Sequence, residues 1–377
     1  MKKPMTLSSA RIPGLDCRLL YLVGGLSAGG LEKQLYYLLK AMDRERYKPM
    51  VAVWSYNEND TYVRQIRDLG VQMFPIPGAF SRVAKLLSFR RLLRKLRPEV
   101  IHSYSFHTNF AAMWASIGLN PILIGSIRND FLSEYKEAGR LVGKLSALWP
   151  RTQICNSLAA QRNMINRKGP FKPKSHRVVH NGLDIDQFTY VPMLPKETKL
   201  LAVGSLNPRK RWDRLIRVIA LASAKGLAFK VYLVGAGPMR KQLELQAKEL
   251  GVEAFIEFLG YQADIATLLE QSTFLIHTAD HEGCPNVVME AMASGRAVVA
   301  TDAGDVPFLV EDGKTGFVVS RGDDDMLLER MSALINDHEL CRQMGEAGRA
   351  KAEQEFGLDR LVFETFAAYG AAGWKDV

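Results

Sequence analysis

Short runs of β-branched and apolar residues alternate along the chain with stretches whose apolar positions recur at helical spacing. That alternation is the mark of parallel sheets joined by crossover helices. In the first half it predicts strands at residues 18–23, 48–54, 71–76, 100–103, 122–126 and 153–156. In the second half it predicts strands at 199–203, 230–234, 256–259, 274–277, 297–300 and 316–319. Between the two sets lies YVPMLPKET (residues 190–198), rich in proline and without periodicity, which reads as a linker. The fold class is therefore α/β, with two doubly wound Rossmann-like domains of six strands each. Their expected extents are 1–190 and 191–357, and ligands belong in the crevice at the carboxyl ends of the strands.

Composition narrows this little. A chain of 377 residues with 47% hydrophobic and 24% charged residues is long for one core and ordinary for two. The four cysteines (Cys17, Cys155, Cys284, Cys341) are far apart, with no zinc-type spacing, as free thiols in a reducing compartment would be. No apolar run approaches the ~20 residues of a spanning helix, and the N-terminal run at 19–23 is too short for a signal segment. The expected location is cytoplasmic, with attachment to a membrane face left open.

Charge adds more. The net charge is +10, and residues 80–97, FSRVAKLLSFRRLLRKLR, carry seven cations and no acid. Val83, Leu86, Leu87, Leu93 and Leu96 recur near helical spacing, so this is a basic amphipathic helix packing its leucines on a sheet with arginines in water. Such a helix also suits an anionic membrane surface. Nucleic acid is not expected, because no aromatic residues interrupt the basic run as stacking platforms.

Four stretches carry chemistry. The first strand runs into GGLSAGGLEKQL, where Gly24, Gly25, Gly29 and Gly30 precede a helix: a loop whose backbone can approach an anion, or a tight strand–helix turn. After the strand at 199–203, Arg209, Lys210 and Arg211 stand just before a helix, where positive charge opposes the helix dipole. A diphosphate needs such cations. Gly235-Ala-Gly237 follows the next strand and suits close approach of a ligand. In HEGCPNVVMEAMASG (281–295), Glu282 falls in a loop and Glu290 inside an apolar helix with Pro285 in its first turn. An inward carboxylate there costs several kcal/mol unless hydroxyls or amides pair with it, as ligand hydroxyls would. Cys284, near the helix start, reads as apolar filler more readily than as a reactive thiolate.

E-G-C-P-N-x-x-x-E-A-M-A-x-G closely resembles the E-G-F-P-N-x-x-x-E-A-M-A-x-G signature of retaining glycosyltransferases of family 4. AGGLEKQL, VVHNGLDIDQF, NPRKRWDRLI and AVVATDAGDVPFLVEDGKTGFVV resemble further segments of that family, in order and over nearly the whole chain. The resemblance implies the GT-B fold, with two Rossmann-like domains facing a cleft. The first would bind the acceptor and the second the nucleotide-sugar, and residues 358–377 would form a C-terminal helix packing back on the first.

By the same resemblance, Arg209 and Lys210 would hold the donor diphosphate, with Gly29 and Gly30 bringing backbone amides near it. Glu290 would bind the ribose and Glu282 the donor-sugar hydroxyls. Gly235, Cys284, Pro285, Asn286 and Val287 would line the donor site. His107, after a strand end in IHSYSFHTNFAA, would line the donor-sugar side, and Arg128 in SIRND would contact the acceptor. His102 reads as core.

Ser205 stands where many members have Arg, so diphosphate neutralisation would rest on Arg209, Lys210 and Arg211. Cys284 stands for the usual Phe, and Asp305-Val306 replaces a commoner turn. The expected donor is a UDP-sugar and the acceptor a glycan or lipid-linked hydroxyl in cell-surface polysaccharide synthesis. No cofactor and no metal is expected, because the resemblance implies a family whose members generally need no divalent metal. A sugar-nucleotide epimerase and a noncatalytic nucleotide-binding module are the rival readings; a nicotinamide oxidoreductase has no fingerprint here.

Overall fold

A computed structural model describes residues 16–78, 81–192 and 194–375. The chain divides into two compact units: one runs to Gly182 and resumes at Leu358, and the other spans Leu183–Gly357. The division falls at Gly182/Leu183, ahead of the proline-rich stretch at 190–198. Leu183 already belongs to the second unit, donating its N–H to the Phe356 carbonyl (2.7 Å) and bridging to Gly357.

The first unit holds a seven-stranded parallel sheet: β1 (Leu19–Val23), β2 (Pro49–Val53), β3 (Gln72–Pro75), β4 (Val100–Ser103), β5 (Ile122–Ile127), β6 (Thr152–Cys155) and β7 (Ser175–Val178), in the order β3-β2-β1-β4-β5-β6-β7. β1, β2 and β4 are buried throughout, which is why they read as continuous apolar runs. β7, SHRV, is a polar edge strand that alternates exposed and half-buried positions. It offers no apolar run, and the sequence reading of six strands omits it.

The helix Leu358–Ala371 belongs to this unit. Its Tyr369 hydroxyl lies 2.7 Å from His102 Nδ1 and donates to the Tyr21 hydroxyl (3.2 Å), while His102 Nε2 meets Ser126 Oγ (2.8 Å). His102 is thus a satisfied core histidine.

The second unit holds six parallel strands: β8 (Lys199–Val203), β9 (Lys230–Val234), β10 (Ile256–Gly260), β11 (Phe274–His277), β12 (Ala297–Thr301) and β13 (Gly316–Val319), in the order β10-β9-β8-β11-β12-β13. Its core is continuous, with Trp212, Ile219 and Phe274 fully buried among aliphatic side chains. Both sheets reverse strand order beside their first strand, between β1 and β4 and between β8 and β11. That is the switch point at which an open α/β sheet leaves room for a ligand.

The basic helix spans Arg82–Leu96, with Ser81 as its cap (Oγ accepts from Ala84 N, 3.3 Å); Phe80 lies outside the described residues. Its buried face is Phe89, Leu92, Leu93 and Leu96, whereas Val83 and Leu87 are 63% and 43% exposed. The expected apolar face is corrected at those two positions, because the first turns extend past the sheet core. The cations are also not all in water. Lys85 Nζ donates to the Trp54 carbonyl (2.7 Å), Arg90 to the Ala115 carbonyl (2.9 Å), and Lys95 is buried.

Candidate functional site

In the second unit, the loops after β8 and β11 are stitched together by backbone and side chain. Asn207 caps a short turn, Pro208–Lys210, by accepting from Arg209 N (3.0 Å). Asp280 N donates to the Arg209 carbonyl (2.9 Å), and the Thr278 hydroxyl donates to the carbonyls of Lys210 (3.0 Å) and Arg211 (3.2 Å). This places Lys210 Nζ on Glu282 Oε1, and His277 Nε2 reaches the same oxygen at 3.1 Å.

Glu282 is held by its surroundings. Burial alone would raise its pKa, but Lys210 and His277 outweigh burial and bring it down to about 2. The His277 imidazole is fully buried, which lowers its pKa despite the carboxylate. A neutral ring facing a carboxylate carries its hydrogen on Nε2. The turn bearing Glu282 is clamped from behind by the turn after β12: Asp305 N donates to the Gly283 carbonyl (2.8 Å), and a Cβ at Gly304 (φ +57°) would meet the Glu282 carbonyl oxygen at 2.6 Å. Neither His277, Thr278 nor Gly304 is legible as a site residue in the sequence; a polar residue ending a buried strand is the one signal His277 offers.

Arg211 has another employment than the diphosphate contact expected for it. It pairs with Asp213 (3.0 Å) and Asp280 (2.6 Å); Arg214 pairs with Asp280 (2.9 Å) and Asp324 (3.3 Å); Arg217 pairs with Asp324 (2.8 Å) and Asp213 (3.0 Å). Three arginines and three aspartates close a ring around the start of the helix Trp212–Ala224. The hydrogen bonds that Arg211 donates to the two aspartates raise its pKa, so its charge is permanent and already compensated.

The remaining residues expected on the donor side lie in the same unit. Gly235 (φ +144°) is filled against the Gly204 carbonyl, so a Cβ would collide with backbone; the glycine lets the β9 loop close on the β8 loop. Pro285 caps the helix Asn286–Ala293, one place earlier than a first-turn residue. Cys284 is buried with its sulfur 3.8 Å from Met289 Sδ, as an apolar filler would be. Val287 is buried, Asn286 half-buried, and Glu290 is 4% exposed within the helix.

Gly29, Gly30, His107 and Arg128 lie in the first unit. Gly29 caps the helix Gly30–Ala41, and the Glu32 carboxylate folds back where a Gly29 side chain would stand. Burial pushes Glu32 up to about 7, against the pull of its own backbone N–H. Gly24 N donates to Ser105 Oγ (3.0 Å), joining the β1 and β4 loops. A Cβ at Gly24 would sit 2.5 Å from His107 Cε1, so the ring packs on the glycine backbone while its other face is exposed. Partial burial lowers the His107 pKa and keeps the ring neutral at pH 7. Arg128 is buried, with its guanidinium carbon 4.0 Å from the Tyr104 ring centre.

Among the described residues, no group of three or more His, Cys, Asp or Glu is placed to hold a metal ion, and no helix is long and apolar enough to cross a membrane.

Comparison with known proteins identifies the fold and the family. The profile for glycosyl transferases group 1 matches residues 191–351, and that for glycosyltransferase family 4 matches residues 28–187. EpsD of Bacillus subtilis is 27% identical over 225 residues, 56% of this chain and 59% of that protein. An α-1,4-N-acetyl-D-galactosaminyltransferase of Campylobacter jejuni, named for a diphosphoundecaprenol-linked glycan, is 22% identical over 86% of this chain and 90% of its own. Anabaena HepE, crystallised with UDP and glucose, superposes with a TM-score of 0.80 at 21% identity, covering 94% of this chain and 100% of that one. That likeness speaks for the fold. The chain belongs to the family 4 type of glycosyltransferase, built on the GT-B fold.

Proposed function

We propose that this protein transfers a sugar, with retention of anomeric configuration, from a nucleotide-sugar of the UDP type to a hydroxyl of a glycan or lipid-linked acceptor in cell-surface polysaccharide synthesis. The observation that carries the reading is the Lys210–Glu282–His277 cluster at the β8/β11 switch point. A carboxylate held ionised at about 2 is an acceptor for sugar hydroxyls and is not poised to give up a proton. Lys210 rests on that carboxylate, and a bound diphosphate would compete with Glu282 for the ammonium. The acceptor hydroxyl would attack from the face that the nucleotide leaves, with Arg209 and Lys210 stabilising the departing diphosphate, which would serve as base. Glu290, buried in its helix, would hold the ribose, and neutral His107 would line the sugar. Nothing in this scheme requires a metal.

UDP is favoured because HepE was crystallised with UDP and with glucose, and a lipid-linked acceptor because of the C. jejuni relative's named substrate. The exposed cations of the helix Arg82–Leu96, with Val83 and Leu87 beside them, suit an anionic membrane face. The protein would then work in the cytoplasm, at the inner face of the membrane.

The test is a panel of UDP-, GDP- and ADP-sugars, read by thermal shift and by nucleotide release with and without a lipid-linked acceptor extract. Stabilisation by one donor with acceptor-stimulated release supports transfer. Turnover of the donor without any acceptor would point to an epimerase, and binding without release in any extract to a noncatalytic module.

A further inference from the structure

We propose that Arg128 is the centre of a second oxyanion site, in the first unit, built for a phosphate monoester or diphosphate. The inference rests on the transferase reading only for the source of that phosphate, not for its chemistry.

Arg128 follows β5 directly and is 7% exposed. Its guanidinium lies over Tyr104, which follows β4, and Nε and Nη1 have no hydrogen-bond partner among the described residues. The Tyr104 hydroxyl, also buried, has none either. Among the described residues no carboxylate forms an ion pair with Arg128. The nearest carboxyl engagement is through the backbone, where Arg128 N donates to Glu134 Oε2 (3.3 Å). Burial pushes Glu134 up to about 8 even beside this cation, so Glu134 brings no compensating charge at neutral pH. Asn156, which follows β6, fixes the strand end by donating to the Arg128 carbonyl (2.8 Å), and its own Oδ1 is buried without a partner.

In the second unit Arg211, Arg214 and Arg217 pair with aspartates, and the buried Arg296 donates to the carbonyls of Val191, Leu269 and Glu270. Arg128 Nε and Nη1 have neither kind of partner, and leaving such a charge uncompensated is costly. The three unsatisfied groups stand at the carboxyl ends of adjacent parallel strands, where open α/β sheets hold their ligands. A cation with free N–H donors, a hydroxyl donor and a neutral carboxyl nearby are complementary to phosphoryl oxygens.

Inorganic phosphate and pyrophosphate are the probes, titrated against the full chain carrying Lys210→Ala, so that the donor loop, left with Arg209 alone, contributes little. A saturable rise in Tm, absent with chloride at equal ionic strength, is expected. In Lys210→Ala/Arg128→Gln it should vanish, and in Lys210→Ala/Arg128→Lys the apparent affinity should fall about tenfold, since the charge is kept and the planar donors are lost. No saturable rise in Lys210→Ala, or an undiminished one in both double variants, overturns the proposal; the lysine variant covers the case in which glutamine at this buried position prevents folding.

The source is separated with Arg128→Gln alone: a raised KM for phosphorylated acceptor with unchanged UDP affinity assigns the site to the acceptor, and weakened UDP binding assigns it to the donor. If phosphate binds at Arg128 but no nucleotide-sugar is turned over, the transferase reading fails and the site stands. If transfer proceeds and phosphate does not bind, the reverse holds.

Discussion

The two units share one strand order and fill its switch point by opposite means. In the second unit the β8 and β11 loops are joined by charge: Lys210 on Glu282, His277 behind it, and a ring of three arginines and three aspartates beside them. In the first unit the β1 and β4 loops are joined by neutral contacts, Gly24 N to Ser105 Oγ and the His107 ring on the Gly24 backbone. The difference follows from what each would hold. A site for a multiply charged group needs cations that stay in place before the ligand arrives, and paired carboxylates keep them there at low cost. In the first unit the β1–β4 junction itself rests on shape and neutral polar groups, and the cation Arg128 enters from the end of β5.

The comparison is most sharply tested at Lys210. Lys210→Ala should lower kcat/KM by about 10²–10³, as loss of one group stabilising transition-state charge does; near-normal turnover with any accepted donor would contradict the assignment.

The ring comes next. Asp280→Ala removes a carboxylate from Arg214, which is 3% exposed, and should destabilise the second unit by roughly 3 kcal/mol, as broken buried pairs do. A change under ~0.5 kcal/mol in urea unfolding would mean that solvent already screens the ring.

Acid should affect the second unit through Glu282. Its folded pKa lies below the ordinary 4.5, so its contribution is fully present above that value and fades as pH falls toward about 2. The contribution is on the order of 3–3.5 kcal/mol at ~1.4 kcal/mol per unit. Glu282→Gln should flatten the stability profile between pH 5 and 2; an unchanged slope would assign the acid sensitivity elsewhere.

The smallest effect is expected in the first unit. Gly24→Ala must displace His107, whose Cε1 lies 2.5 Å from the new Cβ, and should cut turnover about tenfold while UDP affinity stays as it was. A fall in UDP affinity of similar size would erase the contrast between the units. Because burial holds the ring neutral, activity should also show no loss with a midpoint at or above pH 6.5 arising from His107.

Most strands were legible because they are buried on both faces, and a doubly buried parallel strand is a continuous apolar run. β7 was not, because an edge strand reading SHRV carries no such run. The basic helix was legible as a helix, but not its true inner face. Phe89 and Leu92 pack inside while Val83 and Leu87 extend past the core, and periodicity alone does not say where a core ends. The cluster Arg209-Lys210-Arg211 was visible as three cations at a helix start. Their division of labour was not, and the structure gives Arg211 to the ring.

By itself the amino-acid sequence determined the two-unit α/β plan, the glycine turns after β1 and β9, the helix bearing Glu290, and the family to which they point. These are encoded in residues within a few positions of each other, where period, capping and turn chemistry act. Only the tertiary structure decided which charges are spoken for. Lys210 meets Glu282 across 72 residues and Arg211 meets Asp280 across 69, pairings that exist because β8 and β11 are neighbours in the sheet. Electrostatic energy depends on distance in space and on burial, and neither is written in the local spacing of the chain.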